Sequence, residues 1–219
     1  MSNLATIRDR IEQQLVDTTN AIWATGLIDE GLRQALAEFS LSIPVHQITT
    51  LTLSSDTYEL DISAISGLLG VARLWLPYTA ASPENPPNWR PFDHWRDNDI
   101  LYLGEYQGQS GDVARIFYTA GQTIEDLDSA TATTLTGPQE SILITGGAGF
   151  AALSRSLDLG EQVTLGARVA KEIQAWGEAR LERFRALVAA EANRLALVGR
   201  SAVGLPPLDR WDRDGWGWS

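Results

Sequence analysis

The stretch QESILITGGAGFAALSRSL, residues 139–157, decides the fold of this 219-residue chain. It follows Pro138, and its apolar residues recur with the period of a helix. We therefore predict a helix rich in glycine and alanine over Gln139–Leu157, which Gly160 ends. Small side chains on such a helix allow a neighbouring helix to approach closely, so the stretch predicts a helical bundle.

The same stretch has an alternative interpretation as a nucleotide-binding loop. Residues 145–150, TGGAGF, resemble the phosphate loop that opens extended short-chain dehydrogenases and sugar-nucleotide epimerases. That resemblance implies an enzyme that binds NAD or a nucleotide sugar, with glycines close to a pyrophosphate. The context favours the helix, because a second strand and an acidic ribose ligand should follow and Glu161–Trp176 reads as helix instead. No tyrosine follows Tyr118, so the Tyr-x-x-x-Lys pair of that family is missing.

Helical periodicity also marks both ends of the chain. Leu4–Thr19 is a predicted helix with Asn3 as its N-cap, and Leu27–Ser40 is a second one that Pro44 closes. After the decisive stretch, the pattern predicts one long helix over Glu161–Val198, with a polar, arginine-rich side. Residues 199–219 contain repeated glycine and proline, which favours an extended tail.

Between the helices the period changes to the alternation of strands. Short segments rich in β-branched and aromatic residues are separated by turn residues, which is typical of a small antiparallel sheet or sandwich. Thr79–Pro91 contains several prolines and is a predicted loop. The predicted strands are Val45–Leu53, Tyr58–Ile62, Val71–Leu76, Asp99–Leu103 and Val113–Tyr118.

These segments predict an α+β fold. Residues 1–44 and 138–199 form a bundle of two N-terminal and two C-terminal helices, the last one long. Residues 45–137 form a β-rich antiparallel insertion, and residues 200–219 form an extended C-terminal docking tail.

Composition limits the classes of function. A net charge of −11 and a pI near 4.6 argue against a protein that grips nucleic-acid phosphates, but they suit a passage through which DNA slides. The chain has no cysteine, and its two histidines, His46 and His94, lie far apart, so we expect neither thiol chemistry nor a histidine zinc site. The N-terminus lacks the apolar core of a signal peptide, and no apolar run reaches the length of a membrane span.

Two clusters of acidic residues are of the type that metal-dependent hydrolases use. Both fall in turn-rich segments, where aspartate commonly bonds its own backbone, and no Ser-His-Asp arrangement stands in a nucleophile context. We therefore predict no catalytic residue, no metal site, no cofactor and no enzyme. The groups are Asp93, Asp97 and Asp99 with His94, and Glu125, Asp126 and Asp128.

Tryptophan occurs in two settings. Trp75, Trp89 and Trp95 lie in the β-rich middle, where aromatic residues either fill a core or form a stacking face for sugars or nucleic acid. Without flanking basic residues the core is favoured, and a carbohydrate- or receptor-binding module is the alternative. The tail is different, because exposed tryptophans are costly and are enriched as anchors at interfaces. The predicted partner-binding residues are Pro206, Leu208, Trp211, Trp216 and Trp218.

The order of these signals resembles that of head-to-tail adaptor (connector, or head-completion) proteins of tailed bacteriophages and gene transfer agents. Ile28–Ser40 is similar to the family's early helix before a proline, and Thr57–Asp61 to the start of its β-rich segment. Arg115–Ala120 resembles its I-x-Y-x-A strand, which Thr123–Asp128 follows, and Leu135–Leu157 resembles its proline-initiated, alanine-rich helix. The resemblance runs from about Ile28 to Leu157 and depends on order and spacing.

The resemblance implies a virion structural protein at the head-tail interface, assembled in the host cytoplasm. It implies a ring of commonly twelve copies that joins the portal protein to a tail or stopper protein. DNA passes through such a ring without sequence-specific binding. The C-terminal segment is implied to dock into the portal, and no membrane is involved.

Overall fold

The computed structural model describes residues 2–17, 23–82, 87–95, 99–161 and 167–202. It confirms the α+β class, with two helices before and two helices after an antiparallel β-rich insertion. In chain order the elements are α1 (Leu4–Leu15), α2 (Thr25–Ser42), β1 (Val45–Thr52), β2 (Glu59–Asp61), β3 (Leu68–Trp75), β4 (Trp89–Arg90), β5 (Asp93–Trp95), β6 (Ile100–Tyr102), β7 (Val113–Ala120), α3 (Gly137–Glu161) and α4 (Ala167–Ala202).

The chain divides into two compact units. Residues 1–35 and 135–219 form one, called here the helical unit, and residues 36–134 form the other, called here the β unit. Helix α2 contributes its first part to the helical unit and its last part to the β unit.

Helix α1 shows why the N-terminal segment is helical. The Asn3 side chain accepts a hydrogen bond from the Thr6 backbone N–H, which satisfies one of the free donors at the helix start. Leu4, Ile7 and Ile11 lie on the buried side. Val16 ends the helix in the left-handed conformation, earlier than the predicted Thr19, and residues 18–22 lie outside the described part of the chain.

The decisive stretch is helical, as predicted, and it packs through its glycines. A Cβ at Gly146 would meet the Phe184 ring of α4 at 2.8 Å, and one at Gly147 would meet Ile11 of α1 at 2.9 Å. Close contact therefore requires small residues on this side of α3. Gly31 of α2 approaches the same helix so closely that a Cβ there would lie 2.7 Å from the Gly147 carbonyl oxygen.

The boundaries of the C-terminal helices differ from the prediction. Helix α3 continues through Gly160 to Glu161, because one glycine costs a helix only about 1 kcal/mol and does not by itself end it. Helix α4 begins at Ala167 and not at Glu161, and it runs to Ala202, past the predicted end at Val198.

The β unit contains two antiparallel sheets over one apolar core. The larger has strand order β1-β7-β3-β4 and the smaller β2-β6-β5. Strand β7 alternates buried and half-buried residues, with Ala114, Ile116 and Tyr118 directed into the core. Leu60 of β2 and Leu101 of β6 enter the same core from the other sheet.

Two short strands correct the predicted strand set. Trp89–Arg90, within the expected loop Thr79–Pro91, pairs with Leu74 and Trp75 as β4. Asp93–Trp95 pairs with β6 as β5. Both segments are too short to show the alternation of a strand, and β4 lies at an edge of its sheet, where nearby prolines are tolerated.

Candidate functional surfaces

The predicted docking residues Pro206, Leu208, Trp211, Trp216 and Trp218 lie outside the described residues. What the structure describes is the helix that leads to them. Helix α4 has 36 residues, which corresponds to a length of about 54 Å.

The last described turns of α4 are open to solvent. Among the side chains of α4 that the structure describes, which end at Leu197, Glu191 is the last buried one. Every side chain from Asn193 to Leu197 is exposed. Leu195 is 37% exposed and Leu197 is 66% exposed. An isolated helix end gains little stability from its own propensity, so exposed leucines there are typical of a surface that packs against something else.

Glu191 anchors α4 immediately before this open end. Its carboxylate accepts two hydrogen bonds from Arg194, both at 2.7 Å. These bonds lower the pKa of Glu191 and outweigh its burial, which acts in the opposite direction. The pair lies within one helix, at an i, i+3 spacing. The contact with another helix is a side-chain hydrogen bond between Glu191 and Gln139 of α3, which also lowers the pKa of Glu191.

The glycine stretch does not have the geometry of a phosphate loop. Residues 145–150 lie inside α3, far from either of its ends, so their backbone N–H groups are used by the helix itself. Gly149 faces Leu181 of α4, and the Gly149 carbonyl oxygen lies 3.1 Å from where a Cβ of Gly177 would be. The stretch is a helix-packing surface, as the sequence analysis favoured.

The carboxylates show no sign of a metal site in the part of the chain that the structure describes. No group of three or more His, Asp or Glu side chains converges there. Asp99, Asp126 and Asp128 have positive φ, and Asp126 donates its backbone N–H to the Ala130 carbonyl, so these residues form turns. Asp97 lies outside the described residues.

Trp75 is buried, but Trp89 is not. Trp75 is 6% exposed, whereas Trp89 is 40% exposed. Trp95 ends β5, and its side chain lies outside the described part. Trp75 is buried as predicted, although register places it on the outward side of the larger sheet, beside Trp89 and Arg115. The core interpretation is wrong for Trp89.

Trp89 belongs to a surface on the larger sheet, called here the arginine–aromatic face: Ile48, Arg73, Trp89, Arg115 and Phe117. The Arg73 guanidinium lies 5.3 Å from the Trp89 ring, whose centroid is 5.3 Å from that of Phe117. The Arg115 guanidinium lies over Phe117 at 5.5 Å, and its Nη1 donates to the Tyr78 hydroxyl at 3.0 Å. Register places Ile48 and Arg73 beside Phe117 on neighbouring strands.

The smaller sheet has a surface of opposite charge, called here the acidic face: Glu59, Asp61, Asp93, Ile100 and Tyr102. Glu59 pairs with Tyr102, Asp61 with Ile100, and Asp93 with Tyr102 from the other side. The three carboxylate residues are exposed. Asp61 accepts a hydrogen bond from the Ser63 backbone N–H at 2.8 Å, and hydrogen bonding from Ser63 lowers its pKa.

Sequence reasoning missed both faces. The signal that was available is the absence of acidic residues in Val45–Thr52, Leu68–Trp75 and Val113–Ala120, of which the last two contain one arginine each. Finding the faces also requires the strand pairing, which brings Arg73 and Arg115 from two strands together with Trp89 from a third.

An apolar groove of about 290 Å³ lies on the described part of the helical unit. Val16 and Trp23 line it from one side and Val169, Ile173 and Trp176 from α4. Val16 is 88% exposed because the left-handed helix end turns it outward.

Comparisons with known proteins complete the description of these surfaces. The chain matches no protein-family model, and a search of curated proteins likewise finds no match. Among the described residues, none of the helices combines the length and apolar character needed to cross a bilayer.

Proposed function

We propose that this chain is a structural head-to-tail adaptor of a tailed phage or phage-like particle. In this proposal copies of the chain form a ring that joins the portal protein to the tail or stopper protein, and DNA passes through. Its site of action is the head-tail interface of the virion. The function resides in contacts between proteins and not in catalysis.

The observation that carries the proposal is the open end of α4. A helix that leaves its packing partners after Glu191 and exposes Leu195 and Leu197 leads directly into a segment with three tryptophans. Such an arrangement suits an arm that docks on another protein, since aromatic residues act as anchors in buried pockets at interfaces.

Two further observations support a contact function. The sequence signals whose order resembles that of adaptor proteins fall on helices at both ends of the chain and on an antiparallel insertion between them. The net charge of −11 suits a passage that repels DNA and so lets it slide.

The glycine stretch does not support the enzyme alternative. The glycines that would approach a pyrophosphate are inside α3, against Phe184, Ile11 and Leu181. A dinucleotide titration is the direct check on this alternative: no binding is expected, and any binding that Gly149→Trp removes would revive it.

Deletion of residues 206–219 tests the docking arm. Because repeated glycine and proline predict an extended tail, we expect an unchanged thermal unfolding midpoint and a loss of attachment to the portal ring. Attachment is measured by co-sedimentation with portal rings from the same particle. A truncated chain that attaches with full strength would show that the arm is not the docking element.

A further inference from the structure

The two sheets of the β unit are segregated by charge. The four strands of the larger sheet contain Arg73, Arg90 and Arg115 and no aspartate or glutamate. The three strands of the smaller sheet contain Glu59, Asp61 and Asp93 and no lysine or arginine. Mixed charge is the norm on sheets of a soluble protein, so the segregation points to a use for it.

The two charged faces lie on opposite sides of the β unit. Ile116 and Leu74 of the larger sheet and Leu60 and Leu101 of the smaller sheet are buried in one core. Because successive residues of a strand point to opposite faces, the neighbours of these core residues point away from the core. The arginine–aromatic face and the acidic face are therefore directed away from each other.

The charged groups that define the two faces form no ion pairs within the described residues. Arg73 has no ion pair there and contacts only the Trp89 ring, while Arg115 contacts Tyr78 and Phe117. A guanidinium offers five N–H donors, so the donors of Arg73 and most of those of Arg115 remain open to a carboxylate partner. Glu59 and Asp93 have no ion pair there either.

The composition of the arginine–aromatic face is that of protein interfaces. Trp, Tyr, Phe and Arg are the residue types enriched at such surfaces and among their energetic hot spots. Each face also has an apolar centre, Ile48 with Phe117 on one and Ile100 with Tyr102 on the other. Ile48 is 52% exposed, although it lies in the middle of a strand. This exposure does not contribute to the stability of the sheet to which Ile48 belongs.

We propose that the arginine–aromatic face of one copy binds the acidic face of a second copy. The occupant of each face is thus another copy of this chain, selected by charge complementarity. A contact between two different faces on opposite sides of a unit repeats from copy to copy, and closes into a ring when the rotation permits. The inference deepens the proposed function, because it names the surfaces through which the ring of that proposal is joined.

Site-directed cysteines test the contact directly, since the chain has no cysteine of its own. One variant carries Ile48→Cys on the arginine–aromatic face and a second carries Ile100→Cys on the acidic face. Mixed under mild oxidation at low salt, the two should form a disulfide-linked heterodimer, while neither should cross-link alone. Leu41→Cys, at a position that is 75% exposed on α2, replaces Ile48→Cys in the matched control.

Charge exchange tests the selectivity. The variants Arg73→Glu with Arg115→Glu, and Glu59→Arg with Asp61→Arg, should each lose self-association by more than about tenfold, since like charges then face each other. Their mixture should recover it, because each reversed face finds its complement on the other variant. Sedimentation velocity over a concentration series gives the result, and about 1 M salt, where the Debye length is about 3 Å, should weaken the contact.

The inference is overturned if the two cysteine variants do not cross-link together at any concentration tested, or if the charge-reversed variants fail to rescue each other while both remain folded. Portal attachment is scored separately on the same variants. Cross-linking without portal attachment would support this interface and contradict the adaptor function. Portal attachment without cross-linking would support the adaptor function and contradict this interface.

Discussion

At the scale of single residues, the close approach of α2 and α3 makes Gly31 indispensable. A Cβ at this position would lie 2.7 Å from the Gly147 carbonyl oxygen and 2.8 Å from the Ala151 backbone nitrogen. Both are backbone atoms of a helix, which cannot move aside as the end of a flexible side chain would.

We expect Gly31→Ala to lower the free energy of unfolding by about 1–3 kcal/mol, as overpacking does elsewhere. Gly26→Ala, in the same helix, is the matched control: nothing lies within 4 Å of its Cβ, so it should raise stability by up to about 1 kcal/mol. Urea unfolding followed by circular dichroism measures both. Equal effects of the two substitutions would contradict the packing described for the glycine stretch.

A second residue-scale prediction concerns pH. The Arg194 hydrogen bonds lower the pKa of Glu191 in the folded chain below its ordinary value of about 4.5. A carboxyl group with a lowered folded pKa stabilises the protein above its unfolded pKa, and this contribution is lost as the pH falls through the folded value.

Glu191→Gln should therefore reduce stability at neutral pH, and the difference from the unmodified chain should shrink below about pH 4.5. Urea midpoints at a series of pH values give the measurement. Glu172→Gln breaks an exposed pair with Arg168 and serves as the control, with an expected change below about 0.5 kcal/mol. A difference for Glu191→Gln that stays constant with pH would show that the charge is not what matters.

At the scale of elements, a substitution at the exposed end of α4 can distinguish an effect on binding from an effect on stability. Leu197→Glu alters a side chain that is 66% exposed, so it should change the free energy of unfolding by less than about 0.5 kcal/mol. If α4 forms part of the docking arm, the same substitution should weaken attachment to portal rings at least tenfold.

Leu157→Glu provides the comparison, because Leu157 is 72% exposed but belongs to α3. It should leave attachment unchanged. A similar loss from both substitutions would mean that any added charge on the helical unit disturbs binding, and that α4 has no special part in it.

The elements also show which signals a sequence contains. Helices such as α1 and α4 were predictable because their apolar residues recur with the helical period over several turns. Strands β1 and β7 were predictable because β-branched residues are frequent in both eight-residue segments. Strand β4 was not predictable, because two residues between prolines show no period. They form a strand only through pairing with Leu74 and Trp75.

The candidate surfaces depend on still longer-range information. The packing role of Gly146 and Gly149 followed from their small size and their place in a helical pattern. The arginine–aromatic face did not, because Arg73, Trp89 and Arg115 come from three strands and meet only in the register of the folded sheet. The same holds for the acidic face.

At the scale of the whole molecule, two kinds of contact have to be distinguished. We propose that the open end of α4 and the tryptophan segment contact a different protein, the portal. The charged faces of the β unit are proposed to contact further copies of the same chain. These contacts use separate residues, so variants that remove one should leave the other intact.

The most direct test of the adaptor function is the mass of the complex formed with the portal. Portal rings from the same particle are mixed with an excess of this chain, and the complex is sized by chromatography with light scattering. If the chain is an adaptor, we expect a single larger species in which a fixed number of copies, close to the number of portal subunits, is bound. A chain that stays monomeric and separate from the portal at every ratio would contradict it.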